Sequence, residues 1–132
     1  EVDLGIIANT SMPEILADAD AALFPNRCEG GTNLVAMECM AAGLPCVLSM
    51  NSGHLDIASE ANAYPLTRQQ PADRDGTRRY WGESNVDEIV ERLEEIYADR
   101  SEAGCRAERA VADMRAMTWD NQVGLLLDAL AN

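Results

Sequence analysis

Short apolar runs alternate with helical stripes along the first half of the chain. The runs bounded by turn residues predict four strands, at residues 2–8, 21–24, 46–49 and 63–66. The last is predicted to be an edge strand, because Pro65 cannot donate a hydrogen bond to a neighbouring strand. The spacing of the remaining apolar residues predicts helices at residues 12–19, 34–42 and 55–58. Strands that alternate with helices indicate an α/β fold with a mostly parallel sheet.

The second half of the chain is first polar and then helical. Residues 67–82 are rich in Arg, Asp, Gln and Gly without any period, so we expect an exposed excursion there. Three helices follow, predicted from Ser84 to Asp99, from Ser101 through Met114, and from Thr118 onward. The first has an apolar stripe made of Val86, Ile89, Val90, Leu93, Ile96 and Tyr97. Its other face carries acids that we expect to be solvated, namely Asp87, Glu88, Glu91, Glu94 and Glu95.

The loop from Asn26 to Asn33 contains two glycines and joins a strand to a helix. A helix start leaves backbone N–H groups unbonded and carries the positive end of the helix dipole, so this arrangement is typical of a phosphate site. Glu29 precedes the glycines, and Glu38 lies one turn into the helix. Carboxylates alone repel an anion, whereas they suit hydroxyl groups that are attached to a phosphate. The pattern therefore indicates a nucleotide-sugar site.

A second loop, from Asn51 to His54, also leaves the carboxyl end of a predicted strand. In a doubly wound parallel sheet, ligands bind in the crevice outside the carboxyl ends of the strands. We therefore expect this loop and the glycine loop to share one edge of the sheet.

The chain has 132 residues, which corresponds to one domain or to part of one. Its 23 acidic and 10 basic residues give a net charge of −13, which opposes binding to nucleic acid or anionic lipid. The four cysteines have no CxxC spacing, and this favours a reducing cytoplasm over disulfides or a zinc site. We find no signal peptide and no transmembrane segment, which needs about 20 apolar residues. The chain begins without methionine, which suggests a piece of a longer protein.

The stretch from Asp18 to about Ile57 resembles the carboxyl-terminal domain of group 1 glycosyltransferases, which are retaining enzymes of glycosyltransferase family four. The resemblance rests on the ordered run ADAALFPNRCEGGTNLVAMECMAAGLPCVLSMNSGH. It implies the GT-B fold, and for this chain a partial Rossmann-like parallel sheet followed by packing helices. It also implies an enzyme of the hexosyltransferase type that transfers a sugar from a nucleotide-diphospho-sugar to an acceptor.

The resemblance assigns roles to the residues of the glycine loop. Glu38 corresponds to the glutamate that binds the two ribose hydroxyls of the donor, and a carboxylate can accept both hydrogens of such a diol. Glu29 corresponds to the catalytic glutamate that holds hydroxyls of the sugar near the reacting carbon. The diphosphate, which is the leaving group, is expected on the backbone amides of Gly30, Gly31, Thr32, Asn33 and Leu34. The donor is a co-substrate, and no cofactor or metal is expected. The Asp18–Asp20 run mimics the metal-binding DxD of another glycosyltransferase fold but ends a predicted helix.

Two interpretations stay open at each of three positions in the two loops. Eight residues separate Glu29 from Glu38 where the family usually has seven, so either the loop has an extra residue or Gly30 takes the first position. His54 stands where the family has a glycine, and it either faces the sugar or phosphate or is a structural loop residue. Arg27 either pairs with the diphosphate or faces solvent.

The resemblance makes residues 1–132 the distal part of a donor-binding domain that lacks the amino-terminal acceptor domain. On this interpretation the isolated part is inactive, and a sugar or glycan acceptor binds through the missing domain. Trp119 is predicted to be either a core residue or a contact with that domain. Two alternatives are another GT-B enzyme, such as a nucleotide-sugar epimerase, and a non-catalytic α/β interaction module. The base and sugar of the donor, the acceptor, the oligomeric state and any peripheral membrane association stay open.

Overall fold

A computed structural model describes residues 5–72 and 81–131 of the chain. Its main sheet consists of β1 (Ala22–Phe24), β2 (Cys46–Ser49) and β3 (Tyr64–Leu66), which are parallel and have β2 in the middle. Val47 pairs with Leu23 of β1 on one side and with Tyr64 of β3 on the other. The α/β class, the parallel sheet and the edge position of the strand that contains Pro65 are thereby confirmed.

Both faces of the central strand are covered, as the all-apolar run before Ser49 requires. On one face, Cys46 and Leu48 pack with residues of two helices, α2 (Leu34–Ala41) and α4 (Arg100–Ala116). On the other face, Val47 packs with Tyr64, Leu66, Ile96 and Ala103. Small side chains let the helices approach closely, since Ala36 and Ala110 are completely buried.

The first predicted strand is wrong in its described part. Residues 5–8 form no strand; Gly5 has a φ of +61° and Ile6 is fully exposed. A 3₁₀ turn (Asn9–Ser11) then leads into α1 (Met12–Ala17). The apolar run has no neighbouring strand among the described residues, and an apolar run without a partner has nothing to bury it. Residues 2–4 of this prediction lie outside the described part of the chain.

The described ends of the predicted excursion at residues 67–82 form regular structure. They form a small antiparallel sheet of β4 (Gln69–Pro71) and β5 (Gly82–Ser84). The Oε1 atom of Gln69 lies 2.0 Å from the place of a Cβ atom on Gly82, so a side chain at position 82 would require the end of the Gln69 side chain to move. Residues 73–80 lie outside the described part of the chain. The predicted helix at 55–58 is also displaced, since a 3₁₀ helix covers Ser52–Asp56 instead.

The carboxyl-terminal part is helical, as predicted, and consists of α3 (Val86–Ala98), α4 and α5 (Trp119–Ala131). Asn85 caps α3, one position after the predicted Ser84. Asp99 caps α4, two positions before the predicted Ser101. The predicted stripe on α3 is only partly buried, because Ile96 is in the core while Val86, Val90, Leu93 and Tyr97 are exposed. Helix α5 buries none of its described side chains, and Trp119 is 86% exposed. No helix in the described ranges has the length and apolar character needed to cross a membrane.

Glu88 is an exception to the predicted solvated acidic face, because only 3% of it is exposed. Its Oε1 accepts hydrogen bonds from the backbone N–H and the hydroxyl of Thr67, and its Oε2 accepts one from the N–H of Arg68. Burial opposes ionisation, but these bonds and the charge of Arg68 outweigh it and hold the pKa of Glu88 below its ordinary value. Glu88 therefore joins α3 to the chain that leaves β3.

Candidate functional site

The loops that follow β1 and β2 are in direct contact, so the predicted shared edge is present. The N–H of Glu29 donates to the hydroxyl of Ser52 at 2.6 Å, and the N–H of Gly53 donates to the carbonyl of Glu29 at 3.4 Å. The backbones approach so closely that a Cβ atom built on Gly53 would lie 1.3 Å from the carbonyl oxygen of Gly31. The glycine at position 53 is therefore required by packing.

Polar residues at the end of β2 anchor the base of the glycine loop. The carbonyl of Asn26 accepts hydrogen bonds from Ser49 Oγ at 2.8 Å and from Asn51 Nδ2 at 2.9 Å. Asn51 Nδ2 also donates to Oε1 of Gln69 in β4 at 2.9 Å. Ser49 was not selected from the sequence, and Asn51 was named only as the start of a loop, although polar residues at the carboxyl end of an apolar strand are the signal that marks both.

Asn33 forms the start of α2 in a left-handed conformation, with φ 62° and ψ 82°. Its Oδ1 accepts from the N–H of Ala36 at 3.1 Å and thereby caps the helix. Its Nδ2 lies 2.9 Å from Nε2 of His54. The other ring nitrogen of His54 lies 3.0 Å from the carbonyl oxygen and 3.0 Å from the hydroxyl of Ser49. His54 is completely buried, so it connects the two loops from within.

The glycine loop presents a row of unbonded amides. Within the described residues, no group accepts a hydrogen bond from the backbone N–H of any residue from 30 to 35. These six positions run directly into the first turn of α2, and the Leu34 side chain is 73% exposed. Neither Gly30 nor Gly31 has a positive φ, and a Cβ built on either meets no atom within 4 Å. This backbone is open to the surroundings.

The two predicted carboxylates have separate surroundings. Glu29 is half-buried, and its Oε2 accepts a hydrogen bond from Asn26 Nδ2 at 3.1 Å. Glu38 is exposed on α2, where it lines a groove of about 400 Å³ between α1 and α2 together with Met12, Pro13 and Leu16. It also lines a second groove, of about 220 Å³, whose other wall includes Met114 of α4. Both carboxylates can be reached from outside. The hydroxyl of Thr32, between them in the chain, donates to the sulfur of Met37.

Arg27 forms an ion pair with Glu83 of β5, and its carbonyl accepts from the N–H of Gly82 at 2.8 Å. The partner was not foreseen because it lies in the segment predicted to be an excursion. Both side chains remain at least half exposed, so the ion pair contributes little to stability.

Asp20 of the DxD-like run pairs with Arg100 at 3.2 Å, which accords with a structural role. Among the described residues, no three potential metal-binding side chains cluster together.

Two buried cysteines beneath the site, Cys39 and Cys46, are poor nucleophiles. Burial raises the pKa of Cys39, and the adjacent charge of Glu38 raises it further. Burial also raises the pKa of Cys46 to about 12, with Cys39 as a smaller cause. Because the thiolate is the reactive form, neither residue is suited to covalent chemistry at neutral pH.

Comparison with known proteins places this geometry in a family. A family model described as "Family 4 Glycosyltransferase in conflict systems" matches residues 8–126, which include both loops and both carboxylates. A search among curated proteins gives no match. The match spans most of the chain, and the α/β fold with its parallel sheet agrees with it. The chain therefore belongs to the family 4 glycosyltransferases of conflict systems.

Proposed function

We propose that this chain binds the nucleotide-diphospho-sugar donor of a retaining glycosyltransferase, with the diphosphate on the backbone amides of residues 30–35. The observation that carries the proposal is the row of N–H groups at the start of α2 that lack a partner within the described residues. Such a row, combined with the positive end of a helix dipole, attracts an anion. The glycines at positions 30 and 31 support it, because their open surroundings let a ligand approach the backbone.

The same amides suit the chemistry of sugar transfer. As the bond between sugar and diphosphate breaks, negative charge develops on the leaving oxygen. Hydrogen-bond donors that are already oriented stabilise this charge without further reorganisation. The bonds between the two loops, such as the one from Glu29 N–H to Ser52 Oγ, keep the donors in place. We assign the neutralisation of the leaving group to the amides, with the donor as co-substrate and no further cofactor.

The carboxylates of the proposed site bind hydroxyl groups at the two ends of the diphosphate. Glu38 takes the ribose hydroxyls, which its exposure and its place one turn into α2 permit. Glu29 takes hydroxyls of the transferred sugar, and the bond from Asn26 Nδ2 fixes its orientation. Each charge-assisted bond from a hydroxyl to a carboxylate contributes about 1.5–3 kcal/mol. The acceptor, in this proposal, binds to another domain of a longer protein, and residues 1–132 alone transfer no sugar.

Removal of the Glu38 carboxylate tests the proposal. In the full-length enzyme, we expect Glu38→Ala to reduce kcat/KM for the nucleotide-sugar at least about tenfold, because a hydrogen-bonded carboxylate contributes that much or more. Glu94→Ala, which removes an equally charged and exposed acid on α3, is the matched control and should change nothing. Unchanged donor kinetics in Glu38→Ala would refute the assignment.

The product of the reaction tests the remaining features. Nuclear magnetic resonance of the sugar product should show the anomeric configuration of the donor if the enzyme is retaining. Inversion of that configuration contradicts the retaining mechanism. Isomerisation of the nucleotide-sugar without any acceptor identifies an epimerase instead.

A further inference from the structure

We infer that His54 is a positioning residue, which holds Asn33 and thereby sets the direction of the amides proposed to bind the diphosphate. This inference rests on the proposed function for its consequence, but the hydrogen bonds that carry it do not depend on any ligand. His54 is completely buried, so it acts on the site through Asn33 and not by touching the donor. Sequence analysis had left a ligand contact and a structural role open for this residue.

The directions of the hydrogen bonds assign the proton of the imidazole. Oδ1 of Asn33 accepts from the N–H of Ala36, so the group that faces His54 is the Nδ2 amide, which can only donate. Nε2 of His54 must therefore accept and carries no hydrogen. The hydrogen belongs on Nδ1, which lies 3.0 Å from the carbonyl oxygen of Ser49 and donates to it. The Ser49 hydroxyl donates its hydrogen to the carbonyl of Asn26, so it has none left to donate to His54.

Asn33 needs this support because of its backbone. A φ of 62° is uncommon for a residue other than glycine, although asparagine tolerates it better than most. Both ends of the Asn33 amide group are used, one by the helix start and one by the imidazole. The residue lies inside the row of unbonded amides and immediately before Leu34 and Val35. A change in its conformation therefore redirects the N–H groups on both sides.

Hydrogen exchange of the ligand-free, full-length protein gives the first test. The N–H groups of Ala36 and Met37 donate to the side chain and the carbonyl of Asn33, respectively. We expect His54→Ala to accelerate their exchange at least tenfold. The matched control is Asn62→Ala, which removes another buried amide, eight residues after His54, with bonds to Ile57 and Asp113 and, among the described residues, none to the glycine loop. Unaltered exchange in His54→Ala, or equal acceleration in the control, overturns the inference.

Binding of inorganic pyrophosphate gives the second test, by titration calorimetry of the full-length protein. We expect His54→Ala to bind about tenfold more weakly, and Asn33→Gly, which keeps the left-handed backbone without its side chain, to do the same. The double variant should bind pyrophosphate no more weakly than the weaker-binding single variant, because both substitutions interrupt the same hydrogen bond between His54 and Asn33. Independent, multiplying effects contradict the inference. If the unaltered protein binds no pyrophosphate while exchange responds to His54→Ala, the proposed function fails and the positioning role stands.

The tautomer of His54 can be measured without any substitution. In ¹⁵N spectra of the unaltered protein, Nδ1 should be the protonated nitrogen and Nε2 the bare one. Protonation of Nε2 with a bare Nδ1 overturns the inference even if His54→Ala does not fold.

Discussion

At the scale of single residues, the glycines of the two loops have different reasons to be glycine. Gly53 lies against the carbonyl of Gly31, and any side chain there meets backbone. Gly30 and Gly31 have open space where a side chain would stand. Packing explains the first glycine, whereas the other two are explained by the approach of a ligand in the proposed site.

This difference predicts opposite results for two alanine substitutions. Gly53→Ala should lower the free energy of unfolding by about 2 kcal/mol or more, because the loops must separate to admit the methyl group. Gly30→Ala should leave it within about 0.5 kcal/mol while weakening donor binding. Urea denaturation measures the stability of both variants. Equal stabilities would show that the backbones are not in contact.

The residues of the site were largely accessible to sequence analysis, but their connections were not. Asn33 and His54 were both selected from their loops, yet they are 21 residues apart and nothing local predicts that they bond. Likewise, Arg27 and Glu83 meet only because β5 returns to the glycine loop. Side-chain partners over such separations are determined by the fold as a whole.

At the scale of elements, predictions succeeded where local signals were strong. The bounds of β2 were predicted correctly, and α2 ends only one residue before its predicted end. Both predictions were close because Gly43 and Pro45 mark the boundary between the helix and the strand. The pairing of β4 with β5 was missed, since both strands are short and polar and depend on contacts such as that of Gln69 with Asn51. The strand predicted at residues 2–8 was wrong in its described part, although its residues are apolar. An apolar run also needs a neighbouring strand to pair with, and residues 5–8 have none among the described residues.

The attachment of α3 through Glu88 predicts a dependence of stability on pH. The folded-state pKa of Glu88 lies below its ordinary value of 4.5, so the ionised carboxylate stabilises the fold above about that pH. This contribution is lost as the pH falls through the folded pKa. We expect Glu88→Gln to cost about 1–3 kcal/mol at pH 7 and progressively less below pH 4.5, measured by denaturation across that range. A deficit that does not change with pH contradicts the role assigned to the charge.

At the scale of the whole molecule, helices cover both faces of the sheet, and the core consists mainly of small and aliphatic side chains together with the buried ring of Tyr64. Cys39 and Cys46 belong to this core, whereas Cys105 lies on the exposed face of α4. Helix α5 contributes no buried side chain among the described residues, although Leu126, Leu127 and Leu130 recur along it at helical spacing. Their spacing identified an apolar stripe, but periodicity does not say what covers such a stripe.

The free cysteines provide a test of this arrangement. A disulfide reagent at pH 8 should label Cys105 at the rate of an exposed thiol, and Cys39 and Cys46 at least about 100-fold more slowly, because they become accessible only when the core opens. Peptide mapping by mass spectrometry follows each site separately, because the partly exposed Cys28 of the glycine loop is also expected to react faster than the two core thiols. Rapid labelling of Cys46 in the native protein contradicts the described core.

The central claim is that the amides of residues 30–35 bind the diphosphate of the donor. The most direct measurement is a titration of the ¹⁵N-labelled full-length protein with uridine, guanosine and adenosine diphosphates in turn, followed through the backbone amide resonances. We expect saturable shifts that are largest at residues 30–35, where hydrogen bonds to phosphate form. Saturable binding that leaves these amides unchanged, or no binding of any of the three nucleotides, would contradict the claim.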